Sequence, residues 1–177
     1  MKAPSPSEQR AIAVLDELAI TGAPVPVEDV ARRLGAKVAY EAFEGDISGM
    51  LFRDDSVAVI GVNSSHAETR QRFTVAHECG HLVLHEGTPM FIDRFVRVNW
   101  RSGESNREEQ QANAFAAELL MPRRLIPEEI DRVTAKHGNV VPRQLAAELA
   151  KRFHVSTEAM TYRLTNLGIL DPYTLAG

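Results

Sequence analysis

Apolar residues near the start of the chain recur at helical spacing, and those that follow alternate with polar ones. Ser5 and Pro6 predict the N-cap and the first position of a helix, which Gly22 ends. A second, short helix is predicted over 26–34. Three strands separated by turn residues are then expected, over 37–43, 47–52 and 57–62. Together these strands predict a small, mostly antiparallel sheet.

A long amphipathic helix follows the predicted strands. It is expected to begin at a cap formed by 63–65 and to end near His85. Projected at about 100° per residue, six polar residues fall in one stripe that borders the apolar sector. They are Arg70, Thr74, His77, Glu78, His81 and His85. A helix that only packs against a core carries its polar residues on the opposite side, so this stripe indicates a functional site. Gly80, in the same helix, is expected where another element approaches closely.

The spacing of His77, Glu78 and His81 matches the pattern H-E-x-x-H and predicts a metal site. Residues four apart lie one above the other on a helix, so both imidazoles can bind one Zn²⁺ through neutral nitrogens. Glu78 can then accept a proton from the water that such a metal activates. A catalytic zinc site usually has three protein ligands, so we expect the third on another element. The pattern therefore predicts a metal-dependent hydrolase.

The chain between this helix and the next one is less regular. Residues 91–98 are expected to form a strand and 101–106 a loop. Ser105 and Glu108 have the spacing of a capping box, which predicts a helix that continues to Leu120. We expect the third metal ligand on this helix.

Three carboxylates of that helix compete for the role of third ligand. Glu118 lies opposite the apolar face and is expected in solvent, while Glu108 and Glu109 flank that face on its two edges. A helical projection alone does not separate the latter two. Asn113 lies one turn after Glu109, where an amide can hydrogen-bond the far nitrogen of a ligating histidine. We therefore favour Glu109, with Glu108 as the alternative.

The remainder of the chain is predicted to be helical. The helices are expected over 127–136, 142–153 and 157–166. A tight turn joins the last two, as in a helix-turn-helix unit. A small sheet followed by helices indicates an α+β protein, with a core over 1–122 and a helical extension over 123–177 packed on it.

The charge of this extension bears on DNA binding. Its last two helices carry four basic residues against two acidic ones, a bias too weak for an electrostatic DNA footprint. The basic residues are Arg143, Lys151, Arg152 and Arg163. We therefore expect 142–167 to pack against the core, with DNA binding through this unit as the alternative.

The composition narrows the class of protein. The 177 residues carry a formal net charge of -4, which does not indicate nucleic acid as the main partner. No apolar run reaches the length of a membrane span, and the first residues lack the apolar core of a signal peptide. Cys79 is the only cysteine, so no internal disulfide can form. We expect one compact, cytoplasmic unit that does not enter a membrane.

Two sequence blocks together carry a family resemblance. The runs RQRFTVAHECGH at 70–81 and EQQANAFAAELLMP at 109–122 resemble the ImmA/IrrE family of bacterial and phage metallopeptidases. The tail at 149–170 is similar to the helical segment that often follows in that family. Two departures stand out: Cys79 replaces a usual aliphatic residue, and Gln111 replaces a common second acidic residue.

The resemblance implies a zincin fold of the Glu-ligand type. It implies that His77, His81 and Glu109 bind the metal, that Glu78 is the general base, and that Asn113 supports a ligand. Zinc is the expected metal, although manganese or iron could occupy the same ligands. Three residues are unranked possibilities for stabilising the oxyanion or contacting the substrate: His85, Arg70 and Tyr40.

The resemblance also implies a substrate. Family members cleave helix-turn-helix repressors and thereby switch on stress, prophage or mobile-element genes. We therefore expect a zinc-dependent endopeptidase that hydrolyses a peptide bond in a repressor of the XRE type. The alternative is a non-catalytic anti-repressor or toxin-antitoxin binding module, in which the metal has a structural role or none.

Overall fold

The computed structural model describes residues 1–87, 90–94, 104–138 and 140–171. Within these ranges the chain forms helices and a single small sheet. The helices are α1 (Pro6–Glu17), α2 (Val27–Arg33), α3 (Glu68–Leu84), α4 (Glu104–Leu120), α5 (Ile126–His137), α6 (Pro142–Phe153) and α7 (Thr157–Asn166). The strands are β1 (Ala36–Glu41), β2 (Ile47–Arg53), β3 (Ala58–Asn63) and β4 (Met90–Arg94). The expected α+β class is confirmed.

The first helix begins as its sequence predicts. Glu8 N donates to Ser5 Oγ at 3.3 Å, and Ser5 N donates to the Glu8 carboxylate at 2.8 Å, so the capping box is complete. The helix ends at Glu17, earlier than the predicted end at Gly22. The second helix lies where it was expected, and Gly35 follows it at a φ of +90°, a conformation that favours glycine.

The four strands form one mixed sheet in the order β1-β3-β2-β4. β1 pairs parallel with β3, whereas β2 pairs antiparallel with both β3 and β4, so the expectation of a mostly antiparallel sheet is confirmed. Asp54 forms the tight turn between β2 and β3, because its carboxylate accepts N–H bonds from Ser56 and Val57. β4 confirms the first part of the strand predicted over 91–98, and residues 95–98 lie outside the described residues.

The predicted start of the central helix is wrong. α3 begins at Glu68, without a side-chain cap, rather than at the cap expected over 63–65. Asn63 instead ends β3, where its amide donates to Ile47 O at 2.8 Å and its Oδ1 accepts from Ser65 N at 3.0 Å. These bonds stabilise a turn after β3. Because the Asn63 side chain is used there, it does not cap the helix.

The predicted cap of α4 is wrong, because Ser105 lies inside the helix. The helix already includes Glu104, so Ser105 and 104–106 of the predicted loop are helical, while 101–103 lie outside the described residues. Its end at Leu120 matches the prediction.

α3 lies between the sheet and α4, and two glycines bring these elements close together. A Cβ on Gly80 would lie 3.0 Å from Ala112 Cα in α4, which confirms that Gly80 permits a close approach. A Cβ on Gly49 in β2 would lie 2.3 Å from Thr74 Cγ2 in α3. Both distances are shorter than ordinary van der Waals contacts, so neither position accommodates a side chain without movement.

The C-terminal helices share the hydrophobic core with the rest of the chain. Leu149 in α6 and Leu164 in α7 are fully buried in the same cluster as Leu15 and Leu119. Ser156 caps α7 by accepting from Ala159 N at 3.1 Å, and α7 spans the range predicted for the last helix. The division of the chain into 1–122 and 123–177 remains a prediction. No helix in the described ranges is both long and apolar enough to cross a membrane.

The expectation that Glu118 lies in solvent is wrong. Glu118 is 0% exposed, because further elements cover the side of α4 that a single helix would present to water. Its carboxylate accepts hydrogen bonds from Arg123 and Arg163. Glu118 is therefore part of a buried ionic cluster and not an exposed carboxylate.

Candidate metal centre

The structure brings His77 and His81 together with Glu109 of the neighbouring helix. The two histidines are only 2% and 1% exposed, and their Nε2 atoms lie 3.0 Å apart. Glu109 Oε2 lies 3.1 Å from His77 Nε2, and Glu109 Oε1 lies 3.3 Å from His81 Nε2. Bond lengths of about 2.0–2.1 Å around a tetrahedral Zn²⁺ require ligand atoms about 3.3 Å apart. The three side chains therefore have the spacing of ligands to one ion.

The hydrogen bonds of the histidines make their Nε2 atoms electron donors. His77 Nδ1 lies 3.0 Å from Asn113 Oδ1, an oxygen that only accepts, so His77 carries its hydrogen on Nδ1. Its Nε2 then presents a lone pair toward His81 and Glu109. Lone pairs and a carboxylate repel one another at such distances unless a cation lies among them. In the described part of the chain, these three residues form the one His/Cys/Asp/Glu group compact enough to hold a metal ion, and Glu108 does not belong to it.

The electrostatics of the cluster favour the metal-binding protonation states. Burial lowers the pKa of His81, which keeps its imidazole neutral at neutral pH. Burial raises the pKa of Glu109, but the adjacent imidazoles of His77 and His81 outweigh that effect and lower the pKa well below its usual range. A neutral imidazole and an ionised carboxylate are the forms in which these side chains bind metals.

Glu78 lies beside the cluster at the contact between α3 and β2. Its side chain is 0% exposed, and a Cβ on Gly49 would lie 3.3 Å from Glu78 Oε1. Gly49 therefore leaves room for the carboxylate next to the strand. A glycine inside a strand can signal such a close approach, so the sequence held a signal for this contact that the strand prediction did not use.

His81 is held on its far side by side chains that the sequence did not assign to it. Its Nδ1 lies 3.0 Å from His85 Nδ1, and His85 Nε2 lies 3.0 Å from Gln111 Oε1. The ring of Phe91 stacks on His81 with the centroids 4.1 Å apart. Phe91 gave no signal in the sequence, because its contact with His81 depends on the placement of β4 beside β2.

The three residues considered for oxyanion or substrate contacts have different surroundings. Tyr40 donates to the Glu28 carboxylate, and both line a cavity of about 620 Å³ that none of the cluster residues lines. His85 lies behind His81, on the side away from Glu109. Arg70 donates to Ser48 Oγ at 2.7 Å, next to Gly49 in β2. Of the three, His85 therefore contacts a residue of the cluster, whereas these hydrogen bonds of Tyr40 and Arg70 go to residues outside it.

Cys79 is separated from the metal cluster in both position and chemistry. The side chain is fully buried in the hydrophobic core, as expected for a small apolar residue. Burial raises the pKa of its thiol, so the thiolate form that binds metals is disfavoured.

This donor set has the composition to hold one metal ion beside a buried carboxylate, and sequence comparisons place the chain in a family. A profile of the IrrE N-terminal-like domain matches residues 31–165, which contain every residue of the cluster. The chain therefore belongs to the ImmA/IrrE family of metallopeptidases.

Two characterised relatives are similar to parts of this chain. The radiation response metalloprotease IrrE of Deinococcus radiodurans is 38% identical over 111 residues, which cover 60% of this chain and 30% of the relative. The metallopeptidase ImmA of Bacillus subtilis is 24% identical over 124 residues, which cover 70% of this chain and 66% of the relative. The chain thus spans less than two thirds of the length of either relative, and less than one third of the first.

Proposed function

We propose that the protein is a metal-dependent endopeptidase in which His77, His81 and Glu109 hold the ion. Zn²⁺ suits two imidazoles and a carboxylate, and Mn²⁺ or Fe²⁺ accepts the same ligands. A bound ion of this kind supplies Lewis acidity toward a peptide carbonyl and a water molecule. The observation that carries the proposal is the convergence of the three donors within 3.3 Å of one another, with a buried carboxylate beside them.

Glu78 is the general base of the proposed reaction. Its carboxylate accepts a proton from the attacking water and passes it to the amide nitrogen that leaves. Asn113 fixes the ring of His77 from the far side, as outer hydrogen bonds do in metal sites.

The sheet offers a place for an extended substrate. Among the described strands, β4 pairs only with β2, and its residue Phe91 stacks directly on His81. A peptide segment that adds to the open edge of β4 forms main-chain hydrogen bonds beside the metal cluster. This geometry supports a protein substrate that presents an extended segment.

We propose a helix-turn-helix repressor of the XRE type as this substrate, cleaved in the cytoplasm to derepress stress or mobile-element genes. The support is the resemblance of both motif blocks to the ImmA/IrrE family and the name of one relative, a radiation response metalloprotease. Incubation with the repressor encoded nearby, with and without a chelator, tests the proposal. The expected result is a repressor fragment that forms only without chelator.

The variant Glu78→Gln separates catalysis from binding. It should retain the metal and the repressor but form no fragment, because the amide cannot accept the proton of water. A variant that still derepresses the target genes would support the binding-module alternative. A fragment that forms equally with chelator would contradict metal-dependent cleavage.

The ion pairs of the C-terminal helices support a packing role rather than DNA binding. Arg152 pairs with Glu129, and Arg163 pairs with Glu8 and Glu118. Lys151 also pairs with Glu148, so three of the four basic residues in this unit are paired with acidic side chains of the protein itself. Failure of the purified protein to shift any DNA at low salt would agree with the packing role.

A further inference from the structure

His85 connects a metal-ligand histidine to the neighbouring helix. It caps the C-terminal end of α3, one turn after His81, and is only 8% exposed. Its two ring nitrogens have different partners, His81 Nδ1 at 3.0 Å and Gln111 Oε1 at 3.0 Å. The proposed reaction assigns no task to His85 or Gln111.

The chemistry of these contacts sets the direction of the hydrogen bonds. Gln111 Oε1 can only accept, so the hydrogen of a neutral His85 lies on Nε2. Its Nδ1 is then an acceptor, and His81 Nδ1 must donate to it. This leaves His81 Nε2 with a lone pair, directed toward His77 Nε2 and Glu109. The contacts therefore select the tautomer of His81 that can bind a metal through Nε2.

The surroundings strengthen this arrangement. Phe91 packs against the rings of both His81 and His85, with centroid distances of 4.1 Å and 5.8 Å. A hydrogen bond shielded from water is stronger, and losing one of its partners costs more, than at the surface. The close approach of Gly80 to Ala112 keeps Gln111 within reach of His85.

The two ligand histidines thereby receive matching support from α4. Asn113 accepts from His77 directly, whereas Gln111 is linked to His81 through His85. We propose that His85 and Gln111 form a relay that holds His81 in the orientation and tautomer required for metal binding. The relay rests on the proposed metal centre, and His85 and Gln111 are positioning residues in it.

Zinc affinity measured by chelator competition tests the relay. His85→Phe keeps a ring of similar shape but removes the acceptor, and should weaken zinc binding about 10- to 100-fold. His85→Asn places an acceptor near the position of Nδ1 and should recover part of that loss. Asn113→Ala, which removes the support of His77, should show a loss of the same order. His137→Phe, on α5 and outside the cluster, should leave the affinity unchanged.

Nitrogen NMR of the zinc-loaded protein shows which ring nitrogen of each histidine is protonated. A purely structural role of His85 would not fix that position. The wild-type spectrum should show His85 protonated on Nε2 only and His81 protonated on Nδ1. Gln111→Leu should remove the preference of His85 for one tautomer and weaken zinc binding by a smaller factor than His85→Phe. This variant retains His85, so it keeps the test valid if His85→Phe fails to fold.

The outcomes distinguish the relay from the proposed function. Wild-type zinc affinity in His85→Phe, or a wild-type His85 protonated on Nδ1, would overturn the relay alone. A wild-type protein that binds no metal would overturn the metal centre and the relay with it. Weakened zinc binding in the variants, combined with a wild-type protein that cleaves no repressor, would support the relay and overturn the proposed substrate.

Discussion

Two buried polar clusters of this protein share α4 but satisfy their charges in different ways. One is the metal cluster of His77, His81 and Glu109. The other is the ionic cluster of Glu8, Glu118, Arg123 and Arg163, which joins α1, α4 and α7. Both place carboxylates among buried groups, so burial of charge alone does not tell them apart.

The ionic cluster is neutral within itself. Arg123 lies 2.9 Å from both Glu8 and Glu118, and Arg163 lies 2.7 Å from Glu8 and also bonds Glu118. Two guanidinium groups thus neutralise two carboxylates. Such a set of buried charges needs no further ligand and holds the helices together.

The metal cluster directs electron pairs at one another and lacks a cation of its own. Its donors are two imidazole nitrogens and a carboxylate, and hydrogen bonds from the far side fix both rings. The two clusters therefore differ in charge balance: a candidate functional site is recognised by the charge that its own residues leave uncompensated. We also expect that a substitution in one cluster leaves the property supplied by the other, metal binding or stability, largely unchanged.

The largest expected effect is on catalysis through the metal cluster. Glu78→Gln should lower the rate of repressor cleavage about 10²- to 10⁴-fold, because the general base is lost. Zinc affinity and the free energy of unfolding should change little. Cleavage assays with matched amounts of zinc-loaded protein measure the effect, with Glu86→Gln, an exposed glutamate after α3, as the control. Retained cleavage would show that another group accepts the proton.

The next effect concerns the stability that the ionic cluster provides. Glu118→Gln should lower the free energy of unfolding by about 3–5 kcal/mol, because it leaves a buried guanidinium without its full counter-charge. Urea denaturation measures this loss. Glu128→Gln, which breaks a surface ion pair with Arg132, should cost about 1 kcal/mol or less. Zinc affinity reduced as strongly as in a ligand variant would contradict the independence of the clusters.

A smaller effect should depend on pH. Burial raises the pKa of Glu8, but hydrogen bonds from Ser5 and Arg163 offset it and lower the pKa below its ordinary value. A carboxyl with a lowered pKa stabilises the fold above its unfolded pKa, and this contribution is lost as pH falls through the folded pKa. Glu8→Gln should therefore lower the free energy of unfolding by about 1.5–3 kcal/mol at neutral pH. The difference from wild type should shrink in acid. Denaturation at several pH values, with Glu17→Gln as the exposed control, measures this difference.

The smallest expected effect sharpens the link between α3 and α4. Gly80→Ala places a Cβ 3.0 Å from Ala112 Cα, which should cost about 1–3 kcal/mol in packing and regain about 1 kcal/mol in helix propensity. Because α4 carries Glu109 and Asn113, zinc affinity should fall as well. Gly22→Ala, where a Cβ meets nothing within 4 Å, is the matched control. Equal zinc affinity in both variants would show that α4 can shift without moving Glu109.

Features encoded within a few residues could be predicted from the sequence. The alignment of His77 with His81 follows from the helical repeat, and the capping box of α1 follows from Ser5 and Glu8. Glu109, favoured over Glu108 because Asn113 lies one turn further on the same helix, lies with His77 and His81, and its role as a metal ligand stays a prediction. In each case the interacting residues are three or four positions apart, so their relative placement is a property of one helix.

Contacts between segments that are distant in the sequence became visible only in the folded chain. The sequence placed Glu118 in solvent. In the structure, α7 supplies Arg163 and α1 packs against α4, so Glu118 is buried. The order of the strands brings Phe91 onto His81, and the packing of α3 against α4 brings Gln111 to His85. A helical or strand period specifies which face of an element is apolar, but not which partner covers it. The order of residues within single helices therefore specified the local donor pattern. The packing of separate elements specified how Glu109 approaches the two histidines and which side chains support them.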